Sequence, residues 1–188
     1  GQLPNKDLIG RYAGIISWIN SDDAAENTDY PQWLSQQIKQ GLPVAVFSRF
    51  GFSSETGIFK QLGLSTPAYN NQDPLQITHL DNMMGFELPV VARTDLLANI
   101  QANAQSIPLL TLHNSLKNID YHPAAITDWG GYVLAPYNIN TLPNKEGSER
   151  WLINPIEFLN KALKLDETRP IADVTTENGN RLLMVHID

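Results

Sequence analysis

The run YAGIISWI at residues 12–19 and the run LPVAVFS at 42–48 decide the fold. Neither alternates apolar with polar residues. Strands that read as near-continuous apolar runs are those covered on both faces, as in parallel sheets flanked by helices. The segment between them opens with acidic, turn-forming residues, NSDDAAENTD at 20–29. PQWLSQQIKQ at 31–40 follows, with Trp33, Leu34 and Ile38 spaced for one helical face. Asp29 is placed to cap that helix, Pro31 suits its first turn, and Gly41 suits the residue just past its end. Strand, helix, strand predicts two adjacent parallel strands with the helix crossing between them.

Outward from this unit, Ser53 or Ser54 is expected to start a second helix that runs through Leu62 and ends at Gly63. The middle third predicts short strands at 76–79, 85–92, 108–113, 124–127 and 131–135, with a brief helix or a loop at 94–101. Asp128-Trp129-Gly130-Gly131 reads as a hairpin turn. Residues 141–150 read as a polar loop. Asn154 is placed to cap a helix over 155–165 that buries Ile156, Phe158, Leu159, Ala162 and Leu163. Strands at 171–175 and 181–187 flank Glu177-Asn178-Gly179, a second hairpin signal. The expected architecture is α/β, with a parallel sheet, a β-rich elaboration and a C-terminal hairpin.

Composition narrows the function classes. The 188 residues carry 13 Lys and Arg against 20 Asp and Glu, a net charge of -7. Without a basic cluster to meet phosphates, nucleic acid is not expected as a partner. There is no cysteine, so disulfides, thiolate metal sites and a Cys nucleophile are excluded. No apolar run reaches the roughly 18–20 residues of a membrane-spanning helix. The chain opens on Gly1 and stops at Asp188, directly after the apolar run 182–187. It is therefore expected to be a piece cut from a longer protein.

Several residues suit chemistry. Ser48 closes the strand 44–47, at the edge where α/β sheets expose their sites. The string 41–48 resembles the elbow strand of class I glutamine amidotransferase-like domains, in which a Cys occupies the Ser48 position. A nucleophile elbow needs small neighbours, yet Arg49 and Phe50 follow, so an ordinary strand-end serine competes with that reading. Arg49 beside Gly51 offers an anion contact instead. His79, His113, His122 and His186 show no helical metal-ligand spacing and are read as strand-end histidines. Trp18, Trp129, Tyr132 and Tyr137 form either a sugar-stacking platform or core packing.

The tail RPIADVTTENGNRLLMVHID at 169–188 resembles the start of the deacetylase domain in the PelA-like family of bacterial exopolysaccharide enzymes. WGGYVLAPY at 129–137 and WLINPIEFL at 151–159 resemble segments that precede it. The resemblance implies an exported parent, periplasmic or secreted, that acts on an N-acetylated amino-sugar polysaccharide. A glycoside-hydrolase barrel would come first, then a Rossmann- or flavodoxin-like middle region, here taken as flavodoxin-like, then the deacetylase. It also implies that Asp188 is a catalytic base in the intact parent, ahead of a metal-binding Asp that this chain does not contain. The divalent metal belongs to the parent's deacetylase domain, and no cofactor is expected in this chain. The implied division is 1–168 for the middle domain and 169–188 for the beginning of the next. The implied role is accessory, with neighbouring domains of the same chain as partners. The alternatives are a hydrolase that uses Ser48 and a weak carbohydrate-binding module.

Overall fold

The computed structural model describes residues 3–4, 8–21, 24–25, 28–93, 99–142 and 148–165, and the backbone of 181–186. The chain begins with β1 (Tyr12–Ile19), α1 (Tyr30–Lys39) and β2 (Val44–Ser48). β1 and β2 are adjacent and parallel, with Ile15 opposite Val44 and Ile19 opposite Ser48, and α1 makes the crossover. All five residues of β2 are buried, as their unbroken apolar character demands. Then come α2 (Gly57–Gln61), β3 (Leu64–Ser65), β4 (Leu75–Leu80) and β5 (Gln101–Ala102). They are followed by β6 (Ile107–Asn114), β7 (Ile119–Thr127), β8 (Gly130–Leu134), β9 (Ile139–Thr141), β10 (Glu149–Trp151), α3 (Pro155–Ala162) and β11 (Arg181–His186).

Among the described residues, the main sheet has seven strands in the order β11-β1-β2-β8-β7-β6-β4. It is parallel from β11 through β8 and antiparallel from there to β4. The change of direction follows from the connections. β6, β7 and β8 succeed one another through tight turns, and a tight turn can join only antiparallel neighbours. The protein is therefore α/β with a mixed sheet and few helices, and the β-rich elaboration is the antiparallel half of that sheet.

Side chains that alternate along each strand build two cores. Ile15, Ile19, Val44, Val46, Tyr132 and Leu134 pack under α1 and α2. Ile16, Ala45, Phe47, Val133 and Ala124 pack under Phe158, Ala162 and Leu163 of the α3 segment. On the α1 face the hydroxyls of Ser17 and Tyr30 are hydrogen-bonded in the interior. Gly130 admits no other residue. Its φ is 144°, and a Cβ there would lie 2.0 Å from the Val44 carbonyl oxygen. That contact lets the hairpin turn at Asp128-Trp129 deliver β8 against β2.

The structure corrects several expected elements. Residues 85–92 form no strand. Their amides turn to the chain before α3 instead: Gly85 and Phe86 donate to Leu152 O, and Glu87 donates to Trp151 O. α2 starts at Gly57, because Ser53 holds the preceding residues in a turn through bonds from Glu55 N and Thr56 N. The expected loop at 141–150 begins and ends in paired strands, β9 and β10. Asn154 does cap α3, its side chain accepting from Glu157 N at 3.3 Å. The helix stops at Ala162 rather than 165, and Ile156 faces solvent at 67% exposure. The expected strand at 171–175 and the turn at 177–179 lie outside the described residues. The expected boundary at 168/169 also lies outside the described residues. β11 pairs in parallel with β1, from Tyr12 opposite Arg181 to Trp18 opposite His186.

Burial raises the Tyr30 phenol to about 12, with the Ser17 hydrogen bond opposing the rise, and burial also pushes Tyr132 up. A phenol whose folded pKa is raised stabilises the fold fully below its unfolded value of about 10 and ceases to do so as pH climbs through the folded value. Denaturant titrations should thus show stability level up to about pH 10 and falling between there and about pH 12. In Tyr30→Phe that alkaline loss should shrink. Its stability at neutral pH should drop by about 1–3 kcal/mol, because the Ser17 hydroxyl is left buried without a partner.

Candidate functional site

Because β11, β1, β2 and β8 are parallel, their carboxyl ends share one edge of the sheet, the usual place for an α/β site. Ser48 ends β2 there with a φ of 71°. Arg49 N–H donates to Phe47 O at 3.0 Å, closing a three-residue turn around Ser48. Ala135 N–H donates to Ser48 O at 2.9 Å, and Arg49 forms an isolated bridge with Ile19. Next in the chain, Gly51 O accepts from Ala25 N, which ties the loop after β2 to the loop after β1. A positive φ on a serine is strained and marks a position held by its surroundings. Ser48 thus shares the strained positive φ of a nucleophile elbow but not its strand-to-helix turn, since α2 begins only at Gly57.

Ser48 is 6% exposed. Among the described residues, no histidine or carboxylate is hydrogen-bonded to its hydroxyl. His79, His113 and His122 stand on β4, β6 and β7, in the antiparallel half of the sheet. His113 Nδ1 pairs with Asp120 at 2.7 Å, and His122 Nδ1 accepts from Ala102 N at 3.2 Å. Burial lowers the pKa of His122. Among the described residues, no three His, Asp or Glu side chains gather as a metal-binding group. Asp188 lies outside the described residues.

Of the two readings of the aromatic residues, core packing describes Trp129, Tyr132 and Tyr137. Trp129, Tyr132 and Tyr137 are buried, and they do not form one group. Trp129 and Tyr132 belong to the core under α1 and α2, and Tyr137 to the core on the opposite face. The Gly-rich turn of Trp129 lies against the end of α2. There the indole N–H donates to the Leu62 carbonyl at 2.9 Å and satisfies an acceptor that the helix end leaves open. Tyr132 donates to His122 O at 2.9 Å, and Tyr137 accepts from Arg93 N at 3.2 Å. A polar partner inside the fold thus holds each ring in place.

A different ring cluster occupies the carboxyl edge. Trp18 stacks on Phe47 with centroids 5.3 Å apart, and Trp151 meets Trp18 edge-on at 5.6 Å. Trp18 and Trp151 are half-buried. The Trp18 indole donates to Asn20 Oδ1 at 3.0 Å, and Glu87 accepts from Trp151 N at 2.6 Å. Nothing in the sequence pairs Trp18 with Trp151, since the contact depends on where β10 comes to lie. At the opposite edge, a hollow of about 70 Å³ is lined by Leu42, Pro43, Asp128, Trp129 and Lys164, among others. That is well below the roughly 300–1,000 Å³ typical of ligand pockets.

Comparison with protein-family models, curated proteins and solved structures finds no match. Function must therefore be argued from the site.

The strain at Ser48 is open to test. Ser48→Gly should keep the fold and gain up to about 1 kcal/mol in chemical denaturation, because glycine carries no penalty at positive φ. Ser48→Val should lose about 2 kcal/mol or more, because a β-branched residue is least tolerated there.

Proposed function

We propose that this chain is a non-catalytic accessory unit of an exported polysaccharide-modifying enzyme, flavodoxin-like in its parallel half. It positions the start of a deacetylase domain. One observation carries the reading: β11, the strand that leads into His186-Ile187-Asp188, is hydrogen-bonded along β1. A strand locked into a sheet fixes where the chain leaves it, and rigid elements place catalytic groups better than loops do. In the intact parent, Asp188 would serve as base beside a divalent metal held by that next domain, in the periplasm or outside the cell. The partners are the neighbouring domains of the same chain and an amino-sugar polymer.

The hydrolase alternative draws support from the strained positive φ at Ser48. Against it stand the burial of that serine and the lack of a base hydrogen-bonded to it among the described residues. The carbohydrate-binding alternative loses Trp129, Tyr132 and Tyr137 as an exposed surface. What remains to favour it is the Trp18 and Trp151 cluster.

Acetate release from N-acetylated amino-sugar oligomers tests the proposal. The 188-residue chain should release none, with or without divalent metal. In the intact parent, Asp188→Asn should abolish release and Ser48→Ala should leave it unchanged. Hydrolysis by the chain alone that disappears in Ser48→Ala would overturn the accessory reading in favour of the hydrolase.

A further inference from the structure

β8 pairs with β7 only from Ala124 to Thr127, so the first half of β7 extends beyond its neighbour on that side. The small ribbon of β3 and β5 covers the extension. The join has few bonds. His122 N–H donates to Ile100 O at 2.6 Å, and Gln101 Nε2 donates to Asp120 O at 3.3 Å. Ala102 N–H donates not to a backbone carbonyl but to the ring nitrogen His122 Nδ1, at 3.2 Å. The carbonyl of His122 is already engaged by the Tyr132 hydroxyl. The imidazole therefore takes the place of a ladder acceptor.

A ring nitrogen accepts a hydrogen bond only through its lone pair. Protonation turns Nδ1 into a donor that faces another donor. We propose that His122 is a pH-sensitive latch, which holds the β3–β5 ribbon on β7 while its ring is neutral and releases it when the ring is protonated. The groups around it are mixed in sign. Asp120 on β7 favours the protonated ring, but His113 of β6 already engages that carboxylate. His79 on β4 opposes protonation, as does the half-burial of the ring. The net direction is a pKa below the usual 6.5, with burial the largest cause. The ring is thus neutral at pH 7 and the latch closed. The unfolded or released state takes up the proton more readily, so attachment weakens as pH falls below about 6.5.

Release matters beyond the ribbon. Leu64, Ile100 and Ala102 are buried in the same core as Trp129 and Tyr132. Opening the ribbon would uncover one side of the ring cluster that the closed state hides.

NMR on the whole chain tests the latch through two readouts. At neutral pH, ring ¹⁵N shifts should show His122 protonated at Nε2 and bare at Nδ1. The Ala102 amide, corrected for intrinsic exchange, should then lose protection relative to Ala124 as pH falls, approaching about tenfold per pH unit for one proton taken up. In His122→Gln that difference should no longer depend on pH. If this variant fails to fold, the wild-type readouts decide alone. A ring protonated at Nδ1 at neutral pH, or Ala102 protection that tracks Ala124 down to about pH 4.5, overturns the proposal.

Discussion

β2 is paired on both edges and buried along its whole length, and the rest of the structure is arranged around that requirement. A buried strand must place every backbone N–H and C=O, because water is not there to take them. β1 supplies one edge through the α1 crossover. β8 supplies the other, and it reaches β2 only because the hairpin at Asp128-Trp129 ends in a glycine that leaves room for the Val44 carbonyl. Once these three strands are parallel, both faces need cover, and α1, α2 and α3 provide it. Their carboxyl ends must also meet at one edge, where Ser48, Trp18 and the exit of β11 come together.

That edge links packing to function. Ser48 adopts a positive φ because the chain must turn out of β2 while its carbonyl still bonds Ala135 and the next residue bridges Ile19. The strain is thus a consequence of pairing on both sides, and among the described residues no histidine or carboxylate is hydrogen-bonded to the Ser48 hydroxyl. The same kind of pairing on the far side of β1 holds β11, the strand that runs to His186. A strand paired along its length at this edge fixes where the chain leaves the sheet.

Much of the parallel half was legible in the sequence, because burial on both faces leaves an unbroken apolar signature in 12–19 and 42–48. The hairpin at 128–131 and the Asn154 cap were legible for local reasons, a turn dipeptide before glycine and a side-chain acceptor ahead of Pro155. What escaped was decided by partners distant in the chain. GFELPVVA at 85–92 looks like a strand, yet its amides find acceptors at Trp151 and Leu152. Trp129 looks exposed in its Gly-rich turn until the Leu62 carbonyl is known to wait for its N–H. Ile156 fits the helical apolar pattern but falls on the open side of α3. The positive φ at Ser48 and the amide held by His122 leave no mark in composition or spacing, since both depend on which strands become neighbours.

The exit of the chain from this sheet depends on β11 being one of its strands. Backbone NOEs in the uniformly labelled chain test it directly. Parallel-strand contacts are expected between residues 14–18 and 182–186, with Ile16 opposite Met184. Contacts in the antiparallel sense, or none between these two segments while β1 and β2 show theirs, would contradict the account.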